Sequence, residues 1–364
     1  MRNIRISLLM VVLTLIAVGI VMIYSSTAIY AWERLKDSAY FLKRQILFVL
    51  IGSLCAGLIM RLDYRCLVRY AKILVLCAVF MLIMLHIPGA SREISGAKRW
   101  FRIFGFSFQP SEFASLAVIV YTASFLSQKG AKRIDSFVAG FLPVIMVLGL
   151  VSLLILVQPD LGTVMALGIV VLIMLFVAGA RLKHILYIGL SALPFLYLLI
   201  FRVPYRRQRI MSFLNPWADP LGSGFQLIQS QIAIGSGGLF GRGLGKSLQK
   251  LFYLPAGHTD FIFSIIGEEM GFFATLAVVV LFILFFICGC KIIKRSQDAF
   301  GFFLSLGIVS LISLKAVINI GVSTAIFPTK GLPLPFISYG GSSLIFDMIG
   351  AGLLLNVARF SRQQ

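Results

Sequence analysis

Ten apolar runs, at approximately 7–27, 44–60, 70–88, 110–127, 137–157, 160–180, 184–202, 262–289, 300–325 and 343–358, follow one another through the 364-residue chain. Each approaches the roughly 20 residues that cross a bilayer as a helix. Backbone in hydrocarbon must satisfy its own polar groups, so the runs predict an all-α polytopic membrane protein rather than a soluble fold. Composition agrees. The chain is 59% hydrophobic; exchanging its 11 Tyr for its 33 Gly in the count gives about 65%, against roughly 45–50% in soluble proteins. Arg2 and Arg5 precede the first run as in a signal peptide, but its apolar core exceeds the usual 7–15 residues, and it is read as an uncleaved span. The whole chain, 1–364, is read as a single transmembrane domain, with 203–261 a large extracytoplasmic loop between the seventh and eighth helices. The five Cys (Cys55, Cys66, Cys77, Cys288 and Cys290) lack metal-ligand spacing and are read as structural thiols.

Charge sets the orientation. The net charge of +20 comes from short cationic clusters between apolar runs, not from a solvated basic face, and this excludes a nucleic-acid partner. With both termini inside, the inner segments carry Arg2, Arg5, Arg61, Arg65, Arg69, Lys72, Lys129, Lys132, Arg133, Arg181, Lys183, Lys291, Lys294, Arg295, Arg359 and Arg362. The short outer loops carry fewer, so N-in and C-in is favoured. The outer side nevertheless holds Arg34, Lys36, Lys43, Arg44, Arg92, Lys98, Arg99, Arg102 and Lys330. Arg202, Arg206, Arg207, Arg209, Arg242, Lys246 and Lys250 belong with the long loop. Topology does not require these cations, and they point to an anion handled outside.

The conspicuous motifs lie on that same side. Gln109-Pro110-Ser111-Glu112 and Gln158-Pro159-Asp160-Leu161-Gly162-Thr163 open the fourth and sixth spans, where Pro and an acid are good helix-start chemistry. The long loop holds Asn215-Pro216-Trp217-Ala218-Asp219-Pro220 and a stretch with Gly235, Gly237, Gly238, Gly241, Gly243 and Gly245, suited to tight turns or close approach to a ligand. It ends at His258-Thr259-Asp260-Phe261, where water meets hydrocarbon. There a carboxylate's pKa can rise toward that of a general base, or the Asp can simply cap the eighth helix. Pro328 to Ser343 carries three prolines and three glycines, so its backbone is broken at membrane level and must be buried by protein or line a cavity.

Gly96–Trp100, Gln109–Glu112, Gln158–Thr163, Asn215–Gln226, Gly237–Gly245, His258–Phe263 with Glu268-Glu269, and Pro328–Ser343 together resemble the SEDS family, the multi-pass shape, elongation, division and sporulation proteins. The form Pro328-Thr329-Lys330-Gly331 and the stretch Lys250–Pro255 look more like its division branch. The resemblance implies a glycosyltransferase of a bacterial cytoplasmic membrane that polymerises lipid II, an undecaprenyl-pyrophosphate disaccharide peptide, into peptidoglycan strands at the outer face. It implies a class B penicillin-binding protein as transpeptidase partner, within the division or elongation machinery. By the family motif Asp260 is catalytic, and Glu112 and Asp160 line the central cavity. His258 and Ser338 stand in the same motifs as substrate-binding candidates, and Lys98, Arg99 and Lys330 are expected to stabilise pyrophosphate charge. No cofactor follows from the motifs, and assistance by a divalent cation is left open. Two departures stand out: Ser115 replaces the family's Lys one turn after Glu112, and Lys315 lies in the ninth span, which makes Lys315 the expected partner of Glu112 or Glu268. The rival reading is a flippase for the same lipid, since intramembrane ions and broken helices also mark transport paths.

Overall fold

The computed structural model describes residues 1–87, 91–94, 97–103, 106–128, 136–250 and 254–361, with the backbone alone at 91–94, 97–98, 102–103 and 106. Gly96, Lys129, Lys132, Arg133, Arg362 and the Leu251–Tyr253 part of the division-branch stretch lie outside the described residues. In chain order the helices are α1 (Arg2–Leu35), α2 (Tyr40–Arg61), α3 (Cys66–Met84), α4 (Pro110–Gln128), α5 (Leu142–Val157), α6 (Leu161–Val177), α7 (Leu182–Phe201), α8 (Pro204–Leu214), α9 (Phe225–Ser236), α10 (Ile262–Lys294), α11 (Ala299–Ser323) and α12 (Gly341–Phe360). A turn of π-helix, Phe137–Phe141, leads into α5. All but α8 and α9 fall on the ten apolar runs.

Eight of these helices, with α5 counted together with the π turn that leads into it (Phe137–Val157), are long and apolar enough to cross a membrane. The other two that fall on apolar runs are α4 and α6. α6 has only 17 residues, and α4 carries Ser111, Glu112, Ser115, Thr122 and Ser124 among its buried residues. α4 packs between α3 and α11, so it needs no apolar outer surface. α12 lies along α2, where a Cβ added at Gly352 would come 3.0 Å from Ala56 and one at Gly52 2.5 Å from Met348. Such small residues are what allow close approach between membrane helices. α7 is the opposite case: His184 is its buried residue.

The segment 203–261 is folded rather than open, and α9 packs on α10. Gly271 (φ 77°, ψ −171°) breaks α10, and the stretch after α9 fills the break. The amides of Arg242 and Gly243 donate to the carbonyls of Glu268 and Glu269, while those of Phe272 and Phe273 donate to Gly238 and Leu239. A Cβ at Gly237 would stand 1.9 Å from the Gly267 oxygen. The glycines therefore do permit a close approach, and what approaches is α10 itself. An antiparallel sheet with the order β1 (Ser91–Ile94), β2 (Ala97–Ile103), β3 (Phe106–Phe108) adds β structure to the helical expectation.

Polar contacts gather at the two ends of the bundle. At one end the Gln109 amide donates to Ser342 Oγ at 2.8 Å. At the other, Asn356 donates to the carbonyls of Ile59 and Leu62, and the Tyr64 hydroxyl donates to the Asp298 carboxylate. The Gln-Pro motifs, Asp260 and the 328–343 segment all belong to the first end.

Candidate active site

Asp260 stands two residues before α10 on a turn in which the amides of Thr259, Asp260 and Phe261 all donate to the Ala256 carbonyl. The cap residue of α10 is Phe261, and no side chain caps it. The Asp260 carboxylate is therefore not used as a helix cap. Three successive carbonyls of the turn are fastened instead. His258 O accepts from the Tyr339 amide at 3.0 Å, Thr259 O from the Ser338 hydroxyl at 2.6 Å and Asp260 O from Asn319 Nδ2 at 2.9 Å. Asn319 Nδ2 also donates to Leu332 O at 2.8 Å, and Ser338 Oγ accepts from the Leu334 amide at 2.8 Å.

These ties seat the broken segment on Asp260. Leu332, Leu334, Phe336 and Ile337 are buried, so protein covers most of that irregular backbone. Gly331 stays exposed and so close that a Cβ there would lie 3.4 Å from Asp260 Oδ2. The carboxylate thus sits under a glycine at an open edge. Burial raises its pKa to about 6; Arg209 and Arg99 oppose the rise, Asp160 adds to it, and a hydrogen bond from Thr259 lowers it.

Of the predicted cations, Arg99 donates through Nε to Gln158 O at 2.8 Å and through Nη2 to Pro159 O at 2.5 Å. It braces the second Gln-Pro turn and acts on Asp260 through its charge. Lys330 has Met165 Sδ as its contact at 2.9 Å, forms no salt bridge among the described residues, and burial lowers its pKa. Lys98 has its backbone in β2, and its side chain lies outside the described residues. Arg209, on α8, donates to Thr329 O at 3.2 Å and is the largest charge acting on Asp260. The His258 ring packs against those of Phe41, Tyr339 and Tyr30 at 5.5, 6.0 and 6.2 Å. Burial there lowers its pKa to about 4, so it is neutral at pH 7 and fills space beside the turn.

The remaining acids have distinct partners. Asp160 caps α6, accepting from the Thr163 amide at 3.2 Å and hydroxyl at 2.9 Å, and its Oδ2 accepts from Gln109 Nε2 at 3.4 Å. Glu112 is paired with Lys315 at 2.6 Å, and Lys315 also reaches Asp347 at 3.4 Å. The Lys in the ninth span thus meets Glu112, as expected from Ser115, whose hydroxyl donates to Ser111 O instead. Glu268 accepts from the Leu248 and Gln249 amides, and Glu269 pairs with Lys250 at 2.9 Å. Both serve the loop after α9. Among the described residues no three His, Cys, Asp or Glu side chains are grouped to hold a metal.

Arg209, Asn319 and Asp347 were missed as site residues. Arg209 was one of seven loop cations with nothing to rank it. Asn319 carries no charge, but a lone amide in an apolar run was a usable signal, because it must find partners inside the bundle. Asp347, within the last span, was an ionisable intramembrane group and readable by the same rule. A cavity of about 170 Å³, walled by residues such as Leu62, Leu67, Phe113, Leu116 and Phe346, runs between α2, α3, α4 and α12.

The profile of the FtsW, RodA and SpoVE family, described as "Cell cycle protein", matches residues 5–363. A "Probable peptidoglycan glycosyltransferase FtsW" of Geobacter sulfurreducens is 44% identical over 351 residues, 96% of this chain and 94% of that protein. "Stage V sporulation protein E" of Bacillus subtilis is 45% identical over 355 residues, 98% of this chain and 97% of its own. Among solved structures, one described as "Structural coordination of polymerization and crosslinking by a peptidoglycan synthase complex" superimposes with a TM-score of 0.78 at 30% identity, covering 98% of both chains. The rod shape determining protein RodA of Thermus thermophilus gives 0.72 at 29%, covering 98% of this chain and 97% of its own.

Proposed function

The chain belongs to the FtsW, RodA and SpoVE family, and on that premise we propose that it is a peptidoglycan glycosyltransferase that polymerises lipid II at the outer face of a bacterial cytoplasmic membrane. The observation that carries the chemistry is the fastened turn 258–260, which holds one uncapped carboxylate at an open edge beside Gly331. With its pKa raised to about 6, Asp260 is ionised at neutral pH and basic enough to accept a proton in the transition state. It takes the proton of the acceptor's 4-hydroxyl as that oxygen forms a bond to the donor's anomeric carbon. The bond from that carbon to the pyrophosphate oxygen breaks, with inversion, and the electron pair leaves on the lipid pyrophosphate.

Glycosidases commonly need a second carboxyl group to protonate the leaving oxygen. A pyrophosphate is a weak base, and cations suffice. Lys330, free of any salt bridge among the described residues, is one candidate to meet it, with Arg99 and Arg209, whose charges act on Asp260, and Lys98 as the others. The ends of the bundle fit an N-in, C-in arrangement of one domain, with 203–261 outside. A cross-linking transpeptidase of the class B penicillin-binding type is the partner this reading calls for, supported by the neighbour described as coordinating polymerization and crosslinking.

The test is purified protein with lipid II in detergent, assayed for glycan strands. Wild type forms strands and Asp260→Asn, still monodisperse, forms at least about 10²-fold fewer, as expected on losing a general base. Strand formation needs no bilayer, so it separates this function from lipid transport. An Asp260→Asn protein polymerising at the wild-type rate overturns the assignment.

A further inference from the structure

We infer that Asn319 is a positioning residue that sets the spacing between the Asp260 carboxylate and the Lys330 ammonium, an inference that rests on the proposed role of Asp260. Asn319 lies on α11, one helical turn beyond Lys315, and is 1% exposed. Its amide nitrogen holds two carbonyls from distant parts of the chain: Asp260 O at 2.9 Å and Leu332 O at 2.8 Å. A planar amide offers its two hydrogens in one fixed geometry, so this side chain fixes the separation of those two carbonyls, beside the ties that Ser338 and Tyr339 make to Thr259 and His258. The two carbonyls belong to the segments that carry the groups the proposed reaction uses: Asp260 itself in one, Lys330 and Gly331 just before Leu332 in the other. Lys330 belongs to the tied segment, two residues before Leu332, and its amino group is held by no salt bridge among the described residues.

The other end of the amide is unused. Asn319 Oδ1 is buried without a hydrogen-bond partner, and an unsatisfied buried acceptor destabilises a fold. An apolar residue would remove that cost but would leave the carbonyls of Asp260 and Leu332 without their donor. What the chain keeps by having Asn there is the pair of fixed hydrogens. The anchoring of α11 supports the same conclusion, because one turn before Asn319 the helix is pinned by Lys315 to Glu112 on α4 and Asp347 on α12. Asn319 is thus mounted on a helix whose height is fixed by charge.

The inference is tested by steady-state kinetics of lipid II polymerisation with Asn319→Leu and Asn319→Gln, alongside Asp260→Asn. Misplacing reacting groups by about 1 Å costs roughly 10²-fold in rate. Asn319→Leu is therefore expected to lose about that factor in kcat and to keep its KM within about threefold, while its apparent Tm falls because two carbonyls lose their donor. Asn319→Gln keeps both donors one methylene further out and is expected to fall between the two. Loosening the turn also admits water to Asp260, so the acid limb of its pH–rate profile should move to lower pH. Arg209 of α8, Arg99 of β2 and Asp160 at the start of α6, the other charges facing Asp260, are unchanged in these variants. A wild-type kcat in Asn319→Leu, or a rise in KM with kcat intact, overturns the inference. If Asn319→Leu does not fold, Asn319→Gln decides, and a wild-type kcat there overturns it equally. An active Asp260→Asn protein removes the underlying reading, whereas an inactive one beside a fully active Asn319→Leu defeats the inference alone.

Discussion

Replacing Lys315 by Met should be among the most damaging single changes in the bundle, for a reason that can be worked from distances. Its Nζ lies 2.6 Å from Glu112 Oε2 and 3.4 Å from Asp347 Oδ1, with all three side chains 5% exposed or less. At an effective dielectric constant near 20 these contacts correspond to attractions of about 6 and about 5 kcal/mol. They offset a desolvation penalty of several kcal/mol for each ion, so the group as a whole contributes little. Removing the cation alone is different. It leaves two carboxylates buried and facing each other, and loss of one partner from such a group costs on the order of 3–5 kcal/mol. The comparison that isolates this effect is the neutral triple variant Glu112→Gln/Lys315→Met/Asp347→Asn, in which attraction and desolvation vanish together. Thermal unfolding of detergent-purified protein at pH 7 should place Lys315→Met lowest in apparent Tm, with the triple variant well above it and near wild type. A Lys315→Met protein that melts with wild type, or a triple variant that melts below the single one, refutes the reasoning.

Four further outcomes follow from other parts of the structure. Polymerisation should fall as pH drops through about 6, because Asp260 must be ionised to act as a base. Between 3.8 and about 6 the folded chain binds the proton that the unfolded chain has released, so stability is lost as pH rises through that window. Asp260→Asn should accordingly be the more stable protein at pH 7, by on the order of 1–2 kcal/mol for a partly exposed carboxyl, measured by unfolding at pH 7 and pH 4. Arg209→Gln removes the largest charge that lowers the Asp260 pKa, so the acid limb of the pH–rate profile should move to higher pH. Gly237→Ala should destabilise by at least about 1–3 kcal/mol, since its Cβ would meet the Gly267 carbonyl at 1.9 Å. Gly235→Ala, with nothing within 4 Å and inside α9, should melt at or slightly above wild type.

The parts of this molecule that the sequence made legible are those fixed by local pattern. A run of apolar residues must become a helix in hydrocarbon, so the ten long helices lie where the runs do. A Pro followed by an acid marks a helix start, and Asp160 caps α6 as that chemistry requires. What local pattern could not supply is which distant segment satisfies a given polar group. The Gly-rich stretch looked able to approach a ligand, yet its amides and carbonyls complete the broken α10, because Gly271 leaves backbone groups there that only another backbone can reach. His258 sits in the motif of the proposed base, yet the side chains around it are rings of α1, α2 and the 328–343 segment, which no spacing within the motif reveals. Asn319 shows the limit most clearly. Its sequence neighbours are Ile318 and Ile320, and every reason for its presence lies in carbonyls 59 and 13 residues away. A search for charged residues in spans finds Lys315 and passes over the amide one turn further on. In hydrocarbon an uncharged donor also needs a partner, and here its partners are the two segments on which the proposed chemistry depends.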